Sequence, residues 1–214
     1  LSDILFVVSN ARPGREKEYI DWYVDHHLPD VSAVPGVAGG NFYRATDPNS
    51  RWGYCARYTL NEPYGEIMSK VFARAGTPQM QLTDSIDSTT VVMLGATPQR
   101  KRITAEGAAD AKTAELCVVL GDQSVGQDFK SWWDDRHVPT PIAQQGVFAA
   151  QPFQAKEIGG SKTSWANLAT YDITSGKGRG ALSALTGGSG GWRLPRSPNA
   201  KPEDFYIGLF ELIA

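Results

Sequence analysis

The chain repeats itself. Residues 22–37, WYVDHHLPDVSAVPGV, and residues 132–147, WWDDRHVPTPIAQQGV, align at a constant offset of 110 residues. The offset pairs Trp22 with Trp132, Asp25 with Asp135, His27 with His137, Pro29 with Pro139, Gly36 with Gly146 and Val37 with Val147. Upstream, ILFVVSN (4–10) matches ELCVVLG (115–121) one residue out of step. Agreement at residue types as rare as Trp, His, Pro and Gly marks a duplicated unit, so each half must fold through the same succession of elements.

That succession is readable in the first copy. A buried strand at about 4–9 meets a turn at Pro13-Gly14, and a helix from about 14 to 27 ends near Pro29, because the residue before a proline is pushed out of the α region. Two alternating aromatic-rich runs, 37–46 and 51–60, are split by Asp47-Pro48-Asn49-Ser50 as a hairpin. A helix at 62–74 and a strand near 88–95 complete β-α-β-β-α-β. The second copy places strands near 115–120, 147–156, 164–173 and 204–213, with helices near 126–137 and 177–186. This order predicts an α+β fold, two ferredoxin-like βαββαβ repeats packed sheet to sheet as an intramolecular α+β barrel. The repeats are expected at 1–98 and 114–214, with the polar stretch 99–113 as linker. The Gly-rich TGGSGG at 186–191 opens a long loop, either a lid or a disordered segment.

Composition narrows the function classes. Lys+Arg 21 against Asp+Glu 23 leaves a net charge of −2, without the basic surface that nucleic acid or an anionic membrane needs. No apolar run is long enough for a membrane span, and the N-terminus lacks the features of a signal peptide. A cytoplasmic, reducing location is expected, with Cys55 and Cys117 as free, buried thiols.

The histidines concentrate the chemistry. His26, His27 and His137 all fall where the first helix of a copy ends. Spacing of four puts Tyr19, Tyr23 and His27 on one helical stripe, and Phe129, Trp133 and His137 on its counterpart. A helix C-terminus would raise an imidazole pKa and burial would lower it, leaving a group that titrates near neutrality. The competing role is structural: a histidine capping the helix end. Asp25 and Asp135 precede each histidine by two residues, a spacing that does not face them together. On the strands, alternation puts Phe42 and Arg44 on one face and Tyr43 on the other. Tyr54, Ala56 and Tyr58 likewise share a face opposite Cys55 and Arg57. A tyrosine face lining a cavity between the sheets would bind a planar ligand, and an inward Arg44 or Arg57 would hold a carboxylate or phenolate.

Nucleotide, P-loop, CxxC, HExxH and GxSxG motifs are absent. Adjacent His26 and His27 diverge on a helix, so no metal site and no cofactor are expected. The helix-borne Trp-Tyr-x-x-x-His-x-Pro with Pro-Gly-Val entering a strand resembles the dimeric α+β barrel superfamily, and within it the EthD-type branch, as a tandem two-copy fusion. The resemblance covers nearly the whole chain. It implies a substrate held between sheet and helices and a helix-borne catalytic histidine, here His27 and His137. The second copy departs from the pattern at Trp133, Arg136 and Gln145, which favours the first as the working one.

These readings together predict a cofactor-independent lyase or isomerase that transfers protons through histidine on a small aromatic or polyketide-like metabolite. His27, His137, Tyr23 and Asp25 are the catalytic candidates. Tyr19, His26, Tyr43, Tyr54, Tyr58, Arg57 and Trp133 are the substrate-binding ones. Two alternatives stay open: a non-catalytic binding or stress-related barrel, and a cofactor-free monooxygenase or haem enzyme on the same fold. A homodimer of the tandem unit is compatible with all three.

Overall fold

The computed structural model describes residues 1–108, 110–122, 127–160, 164–186 and 205–214. The Gly-rich stretch beyond Thr186 and the side chain of Phe129 lie outside them. The chain divides into two compact units. The first is Leu1–Thr97 with Lys156–Thr163 and Leu212–Ala214, and the second is Pro98–Ala155 with Ser164–Glu211.

In the first unit β1 (Ile4–Ala11) lies between β3 (Tyr54–Leu60) and β4 (Ile86–Pro98), with β2 (Val37–Ala45) on the far side of β3. All pairings are antiparallel. Helix α1 (Glu16–Trp22) runs through a π-helical turn, Tyr23–His27, into α2 (Leu28–Ser32), while α3 (Tyr64–Arg74) joins β3 to β4. Leu5, Phe42, Tyr54, Ala56, Tyr58 and Leu60 pack with Tyr19, Tyr23 and the apolar side of α3 as one core. Phe6, Val8, Tyr43, Cys55 and Leu94 on the opposite face are buried as well.

The second unit orders its strands β9 (Phe205–Leu212), β6 (Glu115–Asp122), β8 (Trp165–Ile173), β7 (Val147–Ile158) and β5 (Ile103–Thr104). Helix α4 (Gln127–Trp132) leads into a second π-helical turn, Trp133–His137, and α5 (Gly178–Thr186) follows β8. The repeat explains one pair of glycines. Gly36 and Gly146 have φ of +98° and +91°, and a Cβ there would lie 2.2 Å from Ile67 Cδ1 and 2.3 Å from Lys177 Cβ. Only glycine meets both demands.

Most secondary elements fall where the repeat placed them, though the first helical run passes Pro29 and continues to Ser32, and the predicted fold class does not hold. Within each unit the described strands pair antiparallel and the helices are few and short, which is not two ferredoxin-like repeats packed sheet to sheet as an α+β barrel. The physical reason lies at the strand edges, whose unpaired amides and carbonyls seek partners. The chain end supplies one: Phe42 N–H donates to Ala214 O at 2.7 Å and Ile213 N–H to Phe42 O at 2.8 Å. Alternation along a strand says which side chains share a face and nothing about such edges.

The stretch expected as a linker is bonded to the second unit. Ile103 and Thr104 pair with Ala150 and Ala149. Arg102 Nη2 donates to Asp172 Oδ2 at 2.7 Å, and Thr113 Oγ1 to Asp172 Oδ1 at 2.9 Å. Asp172 is buried. Cys55 and Cys117 are free and buried. Among the described residues no helix is long and apolar enough to cross a membrane.

Removing the cation from a buried carboxylate costs stability, tempered here by the half-exposed arginine. Arg102→Met is expected to lower the unfolding free energy by about 2 kcal/mol in urea titrations. An unchanged midpoint would mean that the pair does not hold residues 99–113 in place.

Candidate active site

A proline at position 29 shapes the site. Its ring has no N–H and crowds the carbonyl four residues back, which breaks an ordinary α-helix. Here the helical run continues to Ser32 because the preceding turn is widened to a π turn, in which Leu28 N–H donates to Tyr23 O. The second copy does the same before Pro139, with Val138 N–H donating to Trp133 O at 2.9 Å. Single π turns are rare and recur at functional sites.

Widening the turn brings residues five apart onto one side. His27 stacks on Trp22 with ring centroids 4.5 Å apart and planes at 22°, and meets the edge of Tyr23 at 4.9 Å. Tyr23 lies parallel to Phe42 at 3.9 Å, and Phe42 in turn faces Tyr54 at 5.6 Å. Tyr19 closes the group, edge-on to Tyr54 at 5.0 Å and to Tyr23 at 5.7 Å. Two hydroxyl contacts run through it. Tyr58 donates to Tyr23 at 3.2 Å, and Tyr19 shares a 2.7 Å bond with Ser9 Oγ. His27 Nδ1 is buried and has no hydrogen-bond partner among the described residues.

His27 therefore lies inside a helical run that continues to Ser32, whereas His137 is the last residue of its π turn. Nor do the imidazoles titrate near neutrality. Burial lowers His27 to about 4 and His137 to about 3. Both are neutral at physiological pH. Burial raises the Tyr19, Tyr23 and Tyr58 hydroxyls, which remain protonated donors.

The other candidates separate. Tyr19, Tyr23, Tyr54 and Tyr58 gather beneath α1, so the tyrosine face meets the helices, not a space between sheets. Tyr43 and Arg57 lie on the opposite face, where Arg57 Nη2 donates to the Tyr43 hydroxyl at 3.4 Å. Asp25 and His26 are exposed and line a shallow surface groove of about 440 Å³ with Arg15, Lys17, Glu18 and Asp21. Asp25 is not brought to His27. Arg44 is exposed at the end of β2.

In the second copy His137 is fully buried between two indoles, 4.8 Å from Trp132 and 4.6 Å from Trp133. Tyr171 donates to the His137 carbonyl at 3.3 Å. Asp135 is exposed, 3.6 Å from Arg100. Among the described residues no three His, Cys, Asp or Glu side chains are grouped to hold a metal.

Sequence reasoning missed the roles of Trp22 and Phe42. The contact of Trp22 with His27 could not be read from the sequence, since a spacing of five has no meaning on an α-helix. Phe42 was placed on a face whose neighbours the alternation could not name.

No family model and no curated protein matches the chain. Solved structures do. An anthrone oxidase-like protein superposes over 100% of this chain and 91% of its own, with TM-score 0.60 and 10% identity. A mutant chlorite dismutase from Candidatus Nitrospira defluvii covers 98% of this chain and 91% of its own, at TM-score 0.53 and 9% identity. A candidate monooxygenase from Lactobacillus acidophilus NCFM covers 99% and 94%, at TM-score 0.51 and 7% identity. At these identities the likeness shows the fold alone.

The lowered histidine pKa values make stability depend on pH. Unfolded histidines titrate near 6.5. Between that value and about 4 for His27, or about 3 for His137, the unfolded chain binds more protons than the native one. Their contribution is complete above pH 6.5 and falls as pH drops toward 4, by at most about 1.4 kcal/mol per pH unit for each histidine. His27→Gln and His137→Gln should each flatten the fall in urea midpoint between pH 6.5 and 4. Slopes equal to that of the parent protein would refute the buried, neutral assignment.

Proposed function

We propose that the chain is a cofactor-independent enzyme that transfers protons on a small aromatic or polyketide-like metabolite, in a lyase or isomerase step, with His27 as the base. The carrying observation is the buried, unpaired Nδ1 of a neutral imidazole set among aromatic rings. Loss of solvation lowers its pKa, with no carboxylate acting on it. A substrate that leaves an anion beside the imidazolium supplies the missing charge and raises its basicity at the moment of transfer. The Tyr58–Tyr23 hydroxyl pair, fixed in the protonated state, would steady that anion as a hydrogen-bond donor. Stacked aromatic surroundings suit a flat, conjugated molecule.

The chain would then be a tandem member of the EthD-type branch, with the first copy active. In the second, Trp133 replaces the Tyr23 hydroxyl, and the Tyr171 hydroxyl is directed at a backbone carbonyl. A second reading takes support from the anthrone oxidase-like neighbour. In it, the same proton removal prepares a carbanion for reaction with dioxygen, so His27 would serve either outcome.

Anthrone and related planar phenols are the probes, with turnover followed by absorbance. His27→Gln should lower kcat/KM about 100-fold or more, the usual contribution of a positioned base. Tyr23→Phe should lower kcat about tenfold, in the range of one lost hydrogen bond to a developing charge. His137→Gln should lower the melting temperature without a comparable loss of turnover. If no probe reacts and both histidine variants only lower the melting temperature, the protein is a binding module.

A further inference from the structure

The tyrosines beside His27 are sealed from solvent, and one of the residues in that sealed core comes from a loop. Residues 75–85, between α3 and β4, contain no helix or strand. They are exposed or half-buried except for Ser85 and Met80, which is 1% exposed and belongs to the same core cluster as Tyr19, Tyr23 and Tyr58. The turn that presents Met80 closes on itself. Gly76 N–H donates to Met80 O at 2.9 Å, and Met80 N–H to Thr77 O at 3.0 Å. Two residues on, Leu82 is 65% exposed.

Three bonds tie this loop to α1 and the turn before it. Arg12 N–H donates to Ser85 O at 2.7 Å, Arg15 Nη2 pairs with Asp84 Oδ1 at 2.8 Å, and Trp22 Nε1 donates to Gln81 O at 3.1 Å. The ion pair is open to solvent and weak. The indole bond differs from the others, because the same indole covers the His27 ring.

We propose that residues 75–85 are a lid over the His27–tyrosine cluster, with Met80 as its plug and Trp22 as its latch. The proposal rests on the assignment of that cluster as the ligand site. A flat ligand enters as Met80 withdraws, and release of Gln81 frees the indole to uncover the imidazole. Methionine suits a plug, since its flexible, apolar side chain refills an irregular space without leaving a polar group unpaired. Its volume then helps to set the size of ring that the site accepts.

Met80→Cys turns the plug into a reporter, with Cys55 and Cys117, both fully buried, as reporters of global unfolding. In the unliganded protein, iodoacetamide should alkylate the thiol at position 80 at least about tenfold faster than the other two, because local opening precedes global unfolding. Adding Trp22→Phe, which removes the N–H donor, should raise the rate at position 80 at least about threefold and leave Cys55 and Cys117 unchanged. If all three thiols react together, or Trp22→Phe alters them equally, the loop is a fixed part of the core and the proposal fails. Should Met80→Cys itself expose Cys55 and Cys117, amide exchange in the otherwise native chain decides. Trp22→Phe must then speed the Gly76 and Met80 amides and spare those of β1 and β3. Neither readout requires turnover, so a rigid loop would leave the role of His27 standing, and an inactive protein would leave the lid standing.

Discussion

A helix that must pass through Pro29 has two outcomes: it stops, or it changes pitch. This one changes pitch, and the rest of the site follows from the extra residue in the turn. On an α-helix His27 would share its stripe with Tyr23 and Tyr19 only. In the π turn it also comes over Trp22, and a histidine between an indole face and a phenol edge loses most of its water. With no carboxylate acting on it, that loss favours the neutral ring. Geometry, desolvation and protonation state thus descend from one missing N–H.

The consequence differs from a histidine activated by a carboxylate. There the partner raises basicity permanently and fixes the tautomer. Here the imidazole is poorly basic until something anionic arrives, so in the proposed reaction the driving force for proton transfer would come with the substrate. The tyrosines support the same logic, because burial keeps their hydroxyls protonated and limits them to donating. A cluster of this kind favours molecules whose charge, once formed, is spread over a ring system.

How much of this could be read from the residues depends on which periodicity carries it. The duplication was plain because Trp, His, Pro and Gly recur at one offset, and Gly36 and Gly146 keep it for a steric reason visible in both copies. Strand alternation separated Phe42 from Tyr43, and Tyr54 and Tyr58 from Arg57, as observed. It could not say which face meets the helices, and the tyrosine face was assigned to the wrong neighbours. The strand ladder was beyond it too, since Ala214 on Phe42 is a pairing between residues far apart in the chain. The π turn left no trace in a pattern of four, and Met80 looked like any residue of a polar loop.

The two copies show what a small substitution does to such a site. Both keep the proline, the π turn, the indole and the histidine. At the position after the indole, the first copy has Tyr23, whose hydroxyl receives the bond from Tyr58. The second has Trp133, whose ring lies on His137 at 4.6 Å and brings no hydroxyl. There Tyr171 donates to the backbone carbonyl of His137, a bond that fixes the turn in place. The second histidine is the more deeply buried and the more depressed in pKa, with its carbonyl already engaged. One exchange of tyrosine for tryptophan therefore turns a hydroxyl-bearing cluster into packed core, and a duplicated unit can keep its π turn and its histidine in both copies while the groups around that histidine differ.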